Sequence, residues 1–133
     1  IAYRLVTAAL IPLAGPPALS QSAAQPPQPS TTQPAPRTVT GPGDRVLDVA
    51  TGDGNAAIEC ARRGASVVAI DVTPKQIALA KERCAAEGVE VDLRVGNAMA
   101  LGVEDDSFDF VLSVLGVMFA PDPDVAVAEL ARN

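Results

Sequence analysis

The chain has 133 residues, no histidine and a formal net charge of −6 at pH 7. Without histidine, it lacks the commonest protein metal ligand and the usual general base near neutral pH. The acidic balance also disfavours a nucleic-acid partner, because phosphate contacts need clustered lysines or arginines. The composition therefore favours a protein that binds or modifies a small molecule.

Two unlike segments make up the chain. Residues 1–43 hold 9 of the 12 prolines and no acidic residue, whereas all 16 acidic residues lie in the remainder. We predict a Pro/Ala-rich disordered leader over 1–43 and one folded domain over 44–133. Residues 1–24 have the basic start, apolar centre and small residues of a loose secretory signal, and the apolar run is too short to span a bilayer. We expect a cytoplasmic protein, with export as the alternative if these residues act as a signal.

A short apolar strand followed by a glycine turn organises the folded segment. The run Val46–Ala50 predicts a strand, and Gly52 and Gly54 break it before a helix begins. Glycine lets a ligand lie close to the main chain, and the free N–H groups of the next helix point into the same space. Asp48 is unusual in this strand, because burying a carboxylate without hydrogen-bond partners is costly. We expect N–H groups of the loop to supply those partners.

A second acidic residue ends the next predicted strand, Ser66–Ile70. Asp71 follows this strand, and a parallel neighbour would bring it beside the glycine turn. A carboxylate there is suited to the two hydroxyls of a ribose. The turn and this carboxylate together predict a nucleoside-containing cofactor at the carboxyl ends of a parallel sheet.

Two classes of cofactor fit this arrangement. Residues Gly52–Ala57 match the G-x-G-x-x-G/A pattern of dinucleotide-binding domains, which keeps an NAD(P)-linked oxidoreductase open. Asp48 and Asp53 argue against it, because a pyrophosphate gains nothing from negative charge beside the turn. A cofactor with a cation and no phosphate suits the turn better. A non-catalytic binding module is the third interpretation.

Four segments resemble the motifs of class I S-adenosylmethionine-dependent methyltransferases, particularly the quinone-biosynthesis-like branch, in which Ala at position 50 is a common variant. They occur in family order, and the resemblance covers residues 41–133. The segments are Val46–Asn55, Val67–Asp71, Gly96–Leu101 and Ser107–Ser113, the last followed by Gly116–Asp122.

The resemblance implies methyl transfer from S-adenosyl-L-methionine to a small-molecule acceptor, with no metal. Asp48 would contact the methionine end of the cofactor, Asp71 the ribose hydroxyls and Asn97 the adenine amino group. The family more often has Asp at the position of Asn97, and an amide carbonyl accepts the same bond more weakly. The other implied contacts are Ala50, Gly52, Gly54, Val72, Ala98, Met99 and Ser113.

Purely structural roles stay open: a tight turn at the glycines, an ordinary strand-end acid at Asp71 and a turn residue at Asn97. No residue stands out as a general base, so a chain that binds the cofactor weakly and catalyses nothing also stays open.

The remaining pattern alternates helices and strands. It predicts helices over Ala56–Arg63, from Thr73 to Gly88 and over Val125–Arg132 with Asp124 as its cap, and strands over Val89–Val95 and Phe108–Val117. We expect an α/β, Rossmann-like three-layer sandwich that contains the first four strands of a seven-stranded sheet. Half a sheet should be poorly stable alone. Cys60 and Cys84 fall inside helices and are interpreted as small apolar core positions.

Overall fold

A computed structural model of the protein describes residues 40–133. The predicted leader and signal-like segment therefore lie outside the described residues, apart from the last few positions before the first strand. The elements, in chain order, are β1 (Arg45–Val49), α1 (Asn55–Arg62), β2 (Ser66–Asp71), α2 (Pro74–Glu87), β3 (Asp92–Val95), β4 (Phe110–Leu112), a 3₁₀ turn (Val117–Phe119) and α3 (Pro123–Ala131).

The four strands form one parallel sheet in the order β3-β2-β1-β4. Asp48 of β1 is level with Ala69 of β2 and with Leu112 of β4. All carboxyl ends therefore meet at one edge of the sheet, with the order reversing between β1 and β4. In open α/β sheets, the crevice beside such a reversal is the usual place for a ligand.

Helices cover both faces of the sheet, which confirms the predicted Rossmann-like three-layer arrangement. Residues Val46, Val67 and Phe110 face α1, where they pack with Ala57 and Cys60. The opposite face packs against α3 through a second apolar cluster, which comprises Leu47, Val49, Ile70, Leu101 and Leu130. Because β1 is buried on both faces from Val46 onward, this part of the strand is apolar except at Asp48.

The ends of α1 and α2 follow from local sequence. Gly64, with φ of +87°, lets the chain leave α1, and its N–H donates to the Ala61 carbonyl at 2.9 Å. Pro74 starts α2 after Thr73 as predicted, and Gly88 ends it with φ of +67°. Both cysteines are buried in helices, in agreement with their interpretation as small core residues.

Three predicted boundaries were wrong. Strand β3 begins at Asp92 instead of Val89. Strand β4 has only three residues instead of running to Val117, because Leu115 adopts φ of +61° and the chain then enters the 3₁₀ turn. Helix α3 is capped by Asp122, whose side chain accepts from the Val125 N–H at 3.2 Å, so Asp124 lies inside the first turn.

Candidate functional site

A cavity of about 670 Å³ opens at the carboxyl edge of the sheet. Segments that follow all four strands form its walls. The lining consists of Ala50, Gly52, Ile70–Thr73, Gln76, Gly96–Met99, Val114–Gly116 and Phe119–Pro121. Its volume lies in the range typical of small-molecule sites, about 300–1,000 Å³.

Asp71 links two walls of the cavity. One carboxylate oxygen accepts from the Gly52 N–H at 2.9 Å, and the other accepts from the Thr73 N–H at 2.8 Å. Each carboxylate oxygen has two lone pairs, so acceptor capacity remains on both after these bonds form. The side chain is therefore held in place by the backbone and is still able to accept hydroxyl donors.

Asp48 lies beneath the glycine turn and is only 1 % exposed. The Thr51 hydroxyl donates to its carboxylate at 2.6 Å, and the N–H of Ala57, in the first turn of α1, also bonds to it. Burial raises the pKa of Asp48 to about 6, and the nearby Asp71 adds a smaller increase. The partners are thus a hydroxyl and a helix N–H, and not the N–H groups of the loop that the sequence predicted. The Asp48 carboxylate therefore lies at the start of α1.

The two glycines of the turn have different surroundings. Gly52 has φ of +59°, and a Cβ atom there would meet nothing within 4 Å, so open space lies over this residue. A Cβ on Gly54 would lie 3.2 Å from the Cβ of Ala80, and its φ is +88°. Gly52 therefore borders the cavity, whereas Gly54 permits close packing of α1 on α2.

An arginine from α2 holds the turn from outside the cavity. Arg83 approaches the Asp53 carboxylate at 2.6 Å and donates to the Asp53 carbonyl at 3.2 Å. The charge of Asp53 is therefore paired, which weakens the sequence argument that it would repel a pyrophosphate. Sequence reasoning missed Arg83, because 30 residues separate the partners and no local pattern joins them.

The third wall follows β3. The Gly96 N–H donates to the Asp71 carbonyl at 3.0 Å, and a Cβ on Gly96 would lie 2.8 Å from Ile70 Cγ2. Asn97 then forms a tight turn in which its side-chain oxygen accepts from the Met99 N–H at 2.9 Å. This wall is fixed to the end of β2 by close packing and by backbone hydrogen bonds.

Seven of the ten predicted contact residues line the cavity. They are Ala50, Gly52, Asp71, Val72, Asn97, Ala98 and Met99. Asp48, Gly54 and Ser113 are not part of the lining; the Ser113 hydroxyl instead accepts from the Val117 N–H at 3.2 Å. Gln76 and Phe119 line the cavity without having been predicted as contacts. Gln76 has no motif signal, whereas Phe119 lies in the segment Gly116–Asp122 that follows the fourth motif. The binding roles of all these residues stay predictions.

The described residues contain neither a candidate metal cluster nor a helix suited to cross a membrane. Within residues 40–133, no group of three or more cysteine or acidic side chains is arranged to hold a metal ion. In the same part of the chain, no helix has both the length and the apolar character that a bilayer crossing requires.

Comparison with known proteins identifies the family. Residues 46–133 match the family described as methyltransferase domain, and the chain belongs to it. An uncharacterised protein of Mycobacterium tuberculosis is 47% identical over 92 residues, which are 69% of this chain and 34% of that protein. The methyltransferase GfsG of Streptomyces halstedii is 38% identical over 93 residues, 68% of this chain and 34% of that protein. The chain thus spans about a third of the length of these relatives.

A comparison with solved structures supports the same family. A S-adenosylmethionine-dependent methyltransferase from Aquifex aeolicus superposes with a TM-score of 0.63 at 25% identity, over 69% of this chain and 51% of that one. S-adenosylmethionine is therefore the cofactor implied by family and fold. These matches do not favour the dinucleotide interpretation.

The residues present fit this cofactor. Asp71 offers a carboxylate to ribose hydroxyls, and Gly52 leaves space above the main chain. Asp48 occupies the start of α1, where a pyrophosphate would otherwise bind. A phosphate-free cofactor that carries a cation needs no such anion site.

Proposed function

We propose that this chain binds S-adenosylmethionine in the cavity and serves transfer of its methyl group to a small-molecule acceptor. The observation that carries the proposal is the placement of two carboxylates around one turn. Asp71 borders the cavity and bonds to Gly52, while Asp48 is buried and bonds to Thr51 and α1. This arrangement offers an acceptor to ribose and withholds the helix N-terminus from phosphate.

The side chains around the cavity bind and orient. Asp71 would accept from the ribose hydroxyls, with its carboxylate already aimed by two backbone N–H groups. Val72 and Met99 would offer apolar surface to the nucleoside, and Asp48 would brace the turn from below rather than touch the ligand. When bound, the cofactor supplies a methyl group on a positively charged sulfonium.

The cavity lining offers alignment rather than proton transfer. Asp71 is the one ionisable side chain among the lining residues of the described range, and two N–H groups hold it. We therefore assign no general base, and we infer that the lining acts by positioning the reactants and by excluding water. Val114, Leu115 and Phe119 are exposed apolar residues along the rim, which suits an acceptor with an apolar body.

Charge and cofactor supply bear on the kind of acceptor and on the cellular compartment. The net charge of −6 argues against a nucleic-acid acceptor. We propose a cytoplasmic site of action, because a methyltransferase that was exported would be separated from the cytosolic cofactor supply.

Titration calorimetry with the full chain tests the proposal. We expect S-adenosylhomocysteine to bind and NAD to show no heat of binding. Asp71→Asn should weaken S-adenosylhomocysteine about tenfold to a hundredfold, because a charge-assisted hydrogen bond contributes about 1.5–3 kcal/mol. Asp92→Asn is the matched control, since Asp92 pairs with Arg94 on the exposed strand β3 and should leave affinity unchanged.

Binding of NAD instead of S-adenosylhomocysteine would overturn the proposal. Asp71 also supports two turns, so Asp71→Asn is checked for folding by its unfolding curve. If it does not fold, the native chain is titrated with the 2′-deoxyribose analogue of S-adenosylhomocysteine. That analogue should bind at least about fivefold more weakly, because one hydroxyl donor to Asp71 is missing.

A further inference from the structure

The carboxyl group of Asp48 lies beneath the glycine turn, outside the lining of the cavity. We propose that this carboxyl gives up its proton when the cationic S-adenosylmethionine binds, and keeps it when the neutral-sulfur product S-adenosylhomocysteine binds. The inference rests on the proposed function and concerns the regulation of the same site by pH. Asp48 acts here through its charge and not through contact with the ligand.

Two carboxylates are held by consecutive residues of the turn. The Thr51 hydroxyl donates to Asp48 at 2.6 Å, and the Gly52 N–H donates to Asp71 at 2.9 Å. Asp71 borders the cavity, whereas Asp48 is only 1 % exposed beneath it. Burial raises the pKa of Asp48 to about 6, and the like charge of Asp71 adds to this increase. The turn therefore separates a solvent-facing anion from a buried acid that gains a proton more readily.

The other groups that face Asp48 do not neutralise it. No cationic side chain of residues 40–133 pairs with this carboxylate. From α1 it faces the Cys60 thiol, whose own pKa is raised by burial, so the thiol is neutral near pH 6. Asp53 in the turn is already paired with Arg83, and the residue level with Asp48 on β4 is apolar. A ligand cation at this edge of the sheet would therefore supply a charge that the described residues do not provide.

The two forms of the cofactor differ in this charge. The sulfur is bonded directly to the exocyclic carbon of the ribose, so a ribose held by Asp71 keeps the sulfonium at the same edge of the sheet. Attraction to the sulfonium favours the ionised form of Asp48, and the released proton goes to solvent. S-adenosylhomocysteine has the same nucleoside and the same amino-acid end but a neutral sulfur. By linkage, the preference of the site for S-adenosylmethionine should therefore increase as pH rises.

Titration calorimetry of the full chain counts the protons. At about pH 6, about half of the Asp48 carboxyls carry a proton. S-adenosylmethionine should release about 0.3–0.5 proton per chain, obtained from the dependence of the binding heat on the ionisation enthalpy of the buffer. S-adenosylhomocysteine should release less than about 0.1 proton. The chain has no histidine, so no side chain with an ordinary pKa titrates near this pH.

The ratio of the two affinities provides a second measurement. Between about pH 5 and pH 7.5, the affinity for S-adenosylmethionine relative to S-adenosylhomocysteine should rise about threefold to tenfold in the native chain. Asp48→Asn cannot titrate, so its ratio should stay constant with pH. Asp92→Asn is the matched control, because it removes an exposed carboxylate that pairs with Arg94, and it should show the native rise.

The outcomes separate this inference from the proposed function. Equal proton release by the two ligands, or a ratio that does not change with pH in the native chain, overturns the inference. The same rise in a folded Asp48→Asn variant also overturns it, because another group would then be the source of the proton. If that variant does not fold, the proton count on the native chain decides. If the native chain binds neither ligand, the proposed function itself fails.

Discussion

The Cα of Gly116 packs so closely on Ala50 that a Cβ added to Gly116 would overlap the Cβ of Ala50. Gly116 follows β4 and Ala50 follows β1, so this contact brings two walls of the cavity together. Ala50 has φ of +59°, a left-handed conformation that costs a residue with a side chain about 1–2 kcal/mol. The pair therefore places a strained alanine where a glycine would be relaxed.

Gly116→Ala should destabilise the protein through this overlap. Overpacking of a closed contact typically costs about 1–3 kcal/mol, and the φ of −93° at Gly116 adds no penalty for alanine. Ala50→Gly removes the opposing methyl group, so the double variant Ala50→Gly, Gly116→Ala should regain most of the loss. Urea unfolding of the native chain, both single variants and the double variant gives the coupling energy.

Gly41→Ala is the control for that cycle. A Cβ on Gly41 meets nothing within 4 Å, so its substitution should change the free energy of unfolding by less than about 1 kcal/mol. Equal losses in Gly116→Ala and in the double variant would show that the two residues do not share a contact.

The buried Asp48 should make stability depend on pH. Its pKa is raised from 3.8 to about 6 by burial, so between these values the folded chain holds a proton that the unfolded chain has released. The free energy of unfolding should therefore fall as pH rises through this window, by up to about 3 kcal/mol from this group. Asp48→Asn cannot titrate, so its pH profile should lack this fall.

Urea unfolding at intervals between about pH 4 and pH 7 measures the effect as a difference between the two profiles. In this difference, the contributions of all groups that titrate alike in both proteins cancel. Parallel profiles would mean that Asp48 ionises in the folded state at its ordinary pKa.

The two aspartates at the start of α3 should contribute unequally. Asp122 bonds to the Val125 N–H, so Asp122→Ala should cost about 0.5–2 kcal/mol. Within residues 40–133, the Asp124 side chain makes no hydrogen bond or ion pair, and it lies in the first turn of α3, where it interacts with the helix dipole. Asp124→Ala should therefore cost about 0.3–1 kcal/mol at most. Thermal unfolding measures the loss of stability in each variant. A larger loss in Asp124→Ala than in Asp122→Ala would show that Asp124 is the capping residue.

The ion pair behind the glycine turn should matter more for binding than for stability. Arg83 and Asp53 are about one-third exposed, so their pair should contribute less than about 1 kcal/mol to folding. Arg83→Gln also frees the Asp53 carbonyl, and the looser turn should weaken S-adenosylhomocysteine by about threefold to tenfold. Calorimetry at low and at high salt would measure the affinity of the native chain and of Arg83→Gln for S-adenosylhomocysteine.

Arg63→Gln is the matched control for the ion pair. Arg63, the residue that caps α1, pairs with Glu59 of that helix at 2.8 Å, and both side chains are about half exposed. Its loss should leave the affinity for S-adenosylhomocysteine unchanged. A similar loss of affinity in both variants would point to overall charge rather than to the turn.

Local patterns predicted most of the fold. The run Val46–Ala50, the glycines after it and the caps at Gly64 and Gly88 each act within a few residues, so one stretch of sequence contains the cause and the effect. The position of Asp71 at the end of β2 also follows from the apolar run before it, and parallel pairing with β1 then places it beside the glycine turn. These features could therefore be inferred before the structure was known.

Contacts between distant segments could not be predicted from the sequence. The overlap of Gly116 with Ala50 and the ion pair of Arg83 with Asp53 depend on how helices and loops settle on the sheet. The early end of β4 had no signal either, because Ser113–Val117 is apolar enough to continue a strand. The hydrogen bond that orients the Asn97 amide likewise became visible only in three dimensions.

The Gly52 and Thr73 amides meet on one carboxylate, and this has a consequence for how such a site changes over time. Exchanging Asp71 for a residue that grips another nucleotide would also remove the strut between two turns. Ligand preference and local architecture are therefore inherited together, and a new specificity would need both turns to be rebuilt at once.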